Sequence, residues 1–78
     1  MVLEFKFEYK EEDYYYNVST VFLGLQARYK VTDMNDEKRN VFHIYFEDNK
    51  WKSTVQNLGN EFIDFLGAKI DKQNKINN

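Results

Sequence analysis

Cysteine and proline are both missing from this chain of 78 residues. Without cysteine there is no disulfide framework, no thiolate metal site and no cysteine nucleophile. Without proline, the residue that most often ends a strand, long uninterrupted β-strands are permitted. Glycine is scarce too, and its three positions, Gly24, Gly59 and Gly67, lie far apart. That spacing excludes the clustered glycines of a phosphate-binding loop.

Long apolar runs and a positive net charge are also missing. No stretch approaches the roughly 20 apolar residues of a membrane span. The N-terminus alternates charged and apolar residues from Glu4 onward and lacks the apolar core of a secretory signal. We therefore expect a cytoplasmic protein with no membrane partner. The formal net charge of −2 would repel a phosphate backbone, which disfavours nucleic acid as a partner without excluding a local basic patch.

Candidate catalytic residues are few. The single histidine, His43, has no companion serine in a glycine-rich nucleophile turn, so no catalytic triad is recognisable. The acidic residues are scattered over predicted turns and the polar back of a predicted helix, where solvated charge is the usual role. Hydrolysis by a carboxylate pair is the chemistry that stays open. We expect no catalytic residue, no cofactor and no metal, and hence a protein that is not an enzyme.

Aromatic residues, by contrast, make up 18% of the chain, and many of them alternate with polar residues. Residues 3–9 alternate apolar with charged side chains, which predicts a half-buried strand with one charged face. An acidic turn at 11–13 leads into a second strand at 14–20, rich in β-branched and aromatic residues. A polar connection at 33–40 leads into a further alternating strand at 41–47.

The segment between these strands is ambiguous, because its apolar residues occupy both parities of a strand. They are Val21, Phe22, Leu23 and Leu25. The segment could form a strand buried on both sides, a subunit interface or a short helix. A strand is favoured, since β-branched residues and Gly24 lower helix propensity. Gly24 further predicts a β-bulge, which would bring the apolar residues on either side of it onto the same face.

The stretch 53–70 has the pattern of a helix lying on a sheet. Advanced by about 100° per residue, its apolar side chains share one side and its polar side chains the other. Ser53 and Gln56 match a capping box at its start, and Trp51 just upstream is placed for a hydrophobic staple. The apolar side consists of Val55, Leu58, Phe62, Ile63, Phe65, Leu66 and Ile70.

Together these elements predict an α+β fold. It is an antiparallel three- or four-stranded β-meander with one C-terminal α-helix packed across one face. Residues 1–71 form a single domain, and residues 72–78 form a frayed polar tail, because they offer almost no apolar side chain to hold them. The order of the strands in the sheet stays open.

A helix on one side of the sheet leaves the other side for binding. We expect the helix to cover Leu3, Phe5, Phe7, Val18, Tyr29, Val31, Phe42, Ile44 and Phe46. The outer face then collects Glu4, Lys6, Glu8, Tyr15, Asn17, Arg28, Lys30, Val41, His43 and Tyr45. Rings and long amphipathic stems of this kind are typical of protein interfaces, and also of an ordinary solvated sheet face.

The sequence favours a small soluble protein-interaction module that is not an enzyme and binds another protein. The partner-binding residues predicted on the outer face are Tyr15, Arg28, Lys30, His43 and Tyr45. Self-association as a homodimer is also expected, because the doubly apolar segment would leave apolar surface exposed in a small monomer. Its residues are Val21, Phe22, Leu23 and Leu25. The alternative function is binding of single-stranded nucleic acid stacked on the same face.

Overall fold

The computed structural model describes residues 2–55 and 57–77, apart from the side chains of Val2, Phe5, Leu23 and residues 74–77. The described residues form five strands and one helix: β1 (Val2–Tyr9), β2 (Glu12–Leu23), β3 (Gln26–Asp33), β4 (Val41–Glu47), β5 (Lys50–Ser53) and α1 (Asn60–Asn77). Each strand pairs antiparallel with the next one along the chain. The predicted α+β meander with a C-terminal helix is therefore confirmed, and β5 is one strand more than the sequence predicted.

Two-residue turns join three of the four strand pairs. Lys10–Glu11 and Asp48–Asn49 have positive φ at both positions, which is the pattern of a type I′ turn. In the β2–β3 turn Gly24 has a φ of +64° at the first position, as a type II′ turn requires. Turns of these types match the right-handed twist of the strands, so they fix the register of each hairpin.

The strand assigned to the ambiguous segment is confirmed, but the bulge predicted at Gly24 is wrong. Gly24 and Leu25 form the hairpin turn between β2 and β3 instead. The turn places Val18 opposite Val31, so the apolar residues before and after it share one face, as predicted, through a turn and not through a bulge. A tight turn and a bulge both shift the alternation, and the sequence alone does not separate them.

The core lies between α1 and one face of the sheet. Phe62, in the first turn of α1, is at the centre of a ring cluster whose centroid separations run from 5.1 to 6.4 Å; its members are Phe7, Tyr9, Tyr14 and Tyr16. Tilted and edge-on ring pairs add to the stabilisation from buried area. The buried apolar side chains are Tyr16, Val18, Val31, Phe42, Ile44, Phe62, Ile63, Leu66 and Ile70.

The helix begins at Asn60, so the prediction that it starts at Ser53 is wrong. Ser53 is the last residue of β5 and pairs with Ile44. Its hydroxyl accepts a hydrogen bond from the N–H of Val55 at 3.1 Å and so caps a turn. Gln56, the other half of the predicted capping box, lies outside the described residues. A strand ladder satisfies a whole row of backbone groups, whereas the cap would satisfy two, and the ladder prevails.

α1 runs from one end of the sheet to the other. At its start the carbonyl of Gly59 accepts the N–H of Ile63 at 3.2 Å, and Lys10 Nζ of the β1–β2 turn lies 3.3 Å from Glu61 Oε2. The helix continues to Asn77, six residues past the predicted end of the domain at residue 71, because lysine and glutamine extend a helix well without burial. Within the described residues, no helix combines the length and apolar character needed to cross a membrane.

Candidate functional site

Four of the predicted partner-binding residues meet on the outer face of the sheet, the face turned away from α1. Lys30 of β3 lies directly opposite His43 of β4. Next to them, the guanidinium carbon of Arg28 lies 4.4 Å from the ring centroid of Tyr45, where the ring quadrupole attracts a cation. We refer to Arg28, Lys30, His43 and Tyr45 as the β3–β4 cluster.

Side-chain hydrogen bonds connect Arg28 of the β3–β4 cluster to its polar neighbours, and Lys52 to nearby carboxylates. Arg28 Nε donates to Gln26 Oε1 at 3.1 Å, and Gln26 Nε2 donates to Glu47 Oε2 at 3.0 Å. Lys52 Nζ lies 3.2 Å from Glu47 Oε1 and 3.3 Å from Asp48 Oδ2. The hydrogen bond to Glu47 is the main cause that raises the pKa of Lys52. Much of this face therefore pairs with itself, as an ordinary solvated antiparallel face does.

Tyr15, the fifth predicted residue, lies apart from the β3–β4 cluster. It pairs with Lys6 of β1, whose ammonium lies 5.0 Å from the Tyr15 ring centroid. The Tyr15 hydroxyl donates to Glu4 Oε2 at 3.2 Å, and this bond raises the pKa of Tyr15. The β2 residue opposite Lys30 is Ser19, about 14 Å further along the strand than Tyr15 at 3.4 Å per residue. The structure therefore gathers four of the five residues and separates Tyr15.

The outer face is divided by charge. On β3, β4 and β5 it carries four cations and one carboxylate: Arg28, Lys30, Lys50, Lys52 and Glu47. On β1 and β2 it carries one cation and three carboxylates: Lys6, Glu4, Glu8 and Asp13. Strand alternation assigns each of these side chains to the outer face. Although the net charge of the chain is −2, the outer face of β3, β4 and β5 is therefore basic. It is a local basic patch of the kind that the composition did not exclude.

The segment predicted to self-associate does not form one surface. Val21 stands on the outer face opposite Arg28 and is half-buried. Phe22 stands on the helix side, opposite Ala27, and Leu25 lies in the turn. The Leu23 side chain lies outside the described residues. Successive residues of a strand point to opposite faces, so a continuous apolar run is split by the sheet it builds.

A different apolar surface lies where the β2–β3 and β4–β5 turns meet the helix side of the sheet. Phe22 is 70% exposed, Phe46 is 55% exposed, and Leu25 is fully exposed. Ala27, opposite Phe22, is exposed as well. We refer to Phe22, Leu25, Ala27 and Phe46 as the apolar end. Contiguous exposed apolar side chains of this kind are unusual on a monomer and mark interaction surfaces.

The prediction that the helix covers Phe46 is wrong. At this end of the sheet α1 packs through Gly67 against the indole of Trp51, which lies opposite Phe46. About one turn later α1 presents Asp71, whose carboxylate prefers water to an apolar surface. A groove of about 420 Å³ therefore stays open, and its walls include Leu25, Ala27, Phe46, Trp51 and Asp71. Sequence reasoning missed Ala27 and assigned Phe46 to the covered face, because the alternation of the strands carries no signal of where α1 presents Asp71.

Comparison of the chain with protein-family models, with curated proteins and with solved structures finds no significant match. In the part of the chain that the structure describes, no group of three or more His, Cys, Asp or Glu side chains could hold a metal ion. The His43 N–H donates to Thr54 Oγ1, and the His43 carbonyl accepts the N–H of Thr54, each at 3.0 Å. The His43 ring stands half-buried on the outer face. The β3–β4 cluster and the apolar end are therefore the two candidate functional surfaces.

Proposed function

We propose that the chain is a small cytoplasmic protein-interaction module without enzymatic activity, which binds a partner protein at the apolar end and also self-associates. The observation that carries the proposal is the exposure of Phe22, Leu25 and Phe46 together at one end of the sheet. Large apolar side chains seldom stay together in water unless a partner covers them for part of the time.

The surroundings of the apolar end support a protein partner. Gln26 and Asp71 line the same groove as Leu25, Ala27 and Phe46. They give it polar groups beside an apolar centre, which is the usual anatomy of a protein interface. A partner of matching chemistry would insert an apolar or aromatic side chain into the groove and offer a cation to Asp71.

The apolar end, more than the β3–β4 cluster, is the anchor in this proposal. Two of the cluster side chains already have partners within the chain, since Arg28 contacts Tyr45 and donates to Gln26. A partner that binds Arg28 and Tyr45 would exchange one set of polar contacts for another, with little net gain. Covering Phe22 and Leu25 breaks no such contacts. It removes apolar area from water, which stabilises the complex by about 25 cal/mol for each Å² buried.

The test is capture of a partner from native lysate by the full chain and by two variants. Phe22→Ser with Leu25→Ser should lower the recovered partner by about tenfold or more, the scale of losing central interface anchors. Val41→Ser is the matched control, because Val41 is also a half-exposed apolar residue but stands on the outer face. Capture that is equal for wild type and the double variant would contradict the proposal.

A second candidate, single-stranded nucleic acid on the outer face, is favoured by one observation, the four cations on β3, β4 and β5. Tyr45 and His43 would serve as stacking platforms between them. This function predicts that a fluorescent oligothymidine binds in low salt, that affinity falls steeply with salt, and that Arg28→Ala with Lys30→Ala abolishes it. The Phe22/Leu25 variant would bind normally. Absence of oligonucleotide binding in low salt would remove this candidate.

A further inference from the structure

β1 presents a long open edge. Among the described residues, the one strand that pairs with β1 is β2, so the other backbone edge of β1 faces outward. Proteins usually blunt such an edge by proline, by a bulge, by a very short strand or by a cover. The opposite edge, β5, has four residues and lies beside α1, whereas β1 has eight residues and no proline. The charged side chains of β1 are the remaining protection against pairing with another strand. Their order along β1 determines which strand can pair with this edge.

The charge order of β1 is complementary to itself. A second copy can pair with this edge around a two-fold axis perpendicular to the sheet, which makes the two β1 strands antiparallel and brings outer-face side chains opposite outer-face side chains. With residue 5 opposite its own copy, Glu4 lies opposite Lys6 of the second copy, and Lys6 lies opposite Glu4. On the helix side, Leu3 lies opposite Phe7 of the second copy.

Neighbouring registers are less favourable. If the centre of symmetry moves by one residue, Lys6 lies opposite Lys6 and Glu4 opposite Glu8, and like charges directly opposite each other are destabilising. If the centre moves by two residues, opposite charges meet again, but the ladder shortens to residues 5–9 because β1 ends at the following turn. The register centred on residue 5 pairs residues 2–8, so it combines the longest ladder with opposite charges.

We infer that the β1 edge joins two copies of the chain as a two-fold dimer, with Glu4 of each copy opposite Lys6 of the other and one sheet continuous through both. This inference rests on the proposed self-association and names its surface. Glu4 and Lys6 lie on the outer face of β1, one residue to either side of residue 5. Within each copy both contact Tyr15 of β2, since the Tyr15 hydroxyl donates to Glu4 and the Lys6 ammonium lies over the Tyr15 ring. The dimer gives each of them a partner of opposite charge across the β1 edge.

The experiment is sedimentation velocity over a range of concentrations with the full chain and charge variants. Wild type should shift toward twice the monomer mass as concentration rises. Lys6→Glu should weaken dimerisation by about tenfold, since each two-fold dimer exchanges two attractive pairs for two repulsive ones. Glu4→Lys should weaken it equally, and the charge-swapped variant that combines both changes should dimerise like wild type. Circular dichroism checks that each variant is folded, and Glu4→Lys serves alone if Lys6→Glu does not fold.

Each other result overturns the inference in a recognisable way. A wild-type chain that stays monomeric overturns both the dimer and the proposed self-association, while leaving partner capture at the apolar end as a separate question. A dimer that ignores the charge variants but is lost in Phe22→Ser with Leu25→Ser keeps self-association and moves it to the apolar end. A charge-swapped variant that fails to recover dimerisation, although folded, shows that Glu4 and Lys6 do not face each other.

Discussion

Gly67 shows at the scale of a single residue how the helix is fitted to the sheet. Glycine in a helix interior costs about 1 kcal/mol relative to alanine, so its presence in the middle of α1 needs a cause. Gly67 is buried, and a Cβ at this position would overlap the fused rings of Trp51. The missing side chain is therefore what lets the indole lie flat against the helix, and Trp51 acts through this contact and not as the predicted staple.

Gly67→Ala should destabilise the protein by about 1–3 kcal/mol, the usual cost of overpacking, although alanine is the better helix former. Denaturant unfolding measures the change. In a Trp51→Leu background the same substitution should cost at least about 1 kcal/mol less, because the overlapping atoms are gone. Ala68→Gly, at the neighbouring exposed position, measures the difference in helix propensity between alanine and glycine by itself. A Gly67→Ala variant more stable than wild type would show that the indole does not sit against this position.

Tyr16 predicts a dependence of stability on alkaline pH. It is 3% exposed, and burial, with the charge of Asp33 as a smaller cause, raises its pKa well above the ordinary value of 10.0. The unfolded chain releases the Tyr16 proton near pH 10, whereas the folded chain keeps it. The contribution of Tyr16 to the free energy of unfolding is therefore fully present below pH 10 and is lost as the pH rises above 10. A rise of one pH unit above 10 should lower the free energy of unfolding by about 1.4 kcal/mol.

The measurement is the free energy of unfolding of wild type and Tyr16→Phe at pH 9 and pH 11. Phenylalanine keeps the ring and removes the titrating hydroxyl, so the fall between the two pH values should be smaller in the variant. The remaining tyrosines and lysines titrate in both proteins and cancel in the comparison. Equal falls would mean that the Tyr16 hydroxyl reaches solvent in the folded protein.

At the scale of the element, alternation predicted the strands better than local signals predicted their ends. The period-two pattern of β1 and β4 reflects burial of one sheet face, and that pattern is written directly in the sequence. The end of β5 and the start of α1 depended on a competition between a ladder with β4 and a cap at Ser53. Such a competition is settled by tertiary pairing, which the sequence around Ser53 does not contain.

The β1–β2 turn is built from residues that do not favour its conformation. Lys10 and Glu11 have φ of 50° and 69°, the left-handed region that costs an ordinary residue about 1 kcal/mol. Glu11→Gly should therefore stabilise the protein by roughly that amount, measured by the midpoint of denaturant unfolding. Glu12→Gly, one residue later within β2, is the control and should destabilise. If Glu11→Gly also destabilises, the hairpin does not turn at these two residues.

At the scale of the whole molecule, the sequence predicted which residues share a sheet face but not which of them α1 reaches. The ten residues assigned to the outer face follow from alternation, and the register then groups four of the predicted five. The apolar end could not be predicted in the same way, because Phe46 has the same pattern as Phe42 and Ile44. What distinguishes Phe46 is the direction of a helix that presents Asp71 at that point, and this follows from packing alone.

The most direct test of the account is amide hydrogen exchange of the full chain, free and in complex with the protein it captures. Binding at the apolar end predicts slower exchange over residues 22–27 and 45–48 in the complex, with residues 60–66 of α1 and the strand around Tyr15 unchanged. Slower exchange confined to α1 or to the Tyr15 side of the outer face, with the apolar end unchanged, would contradict it.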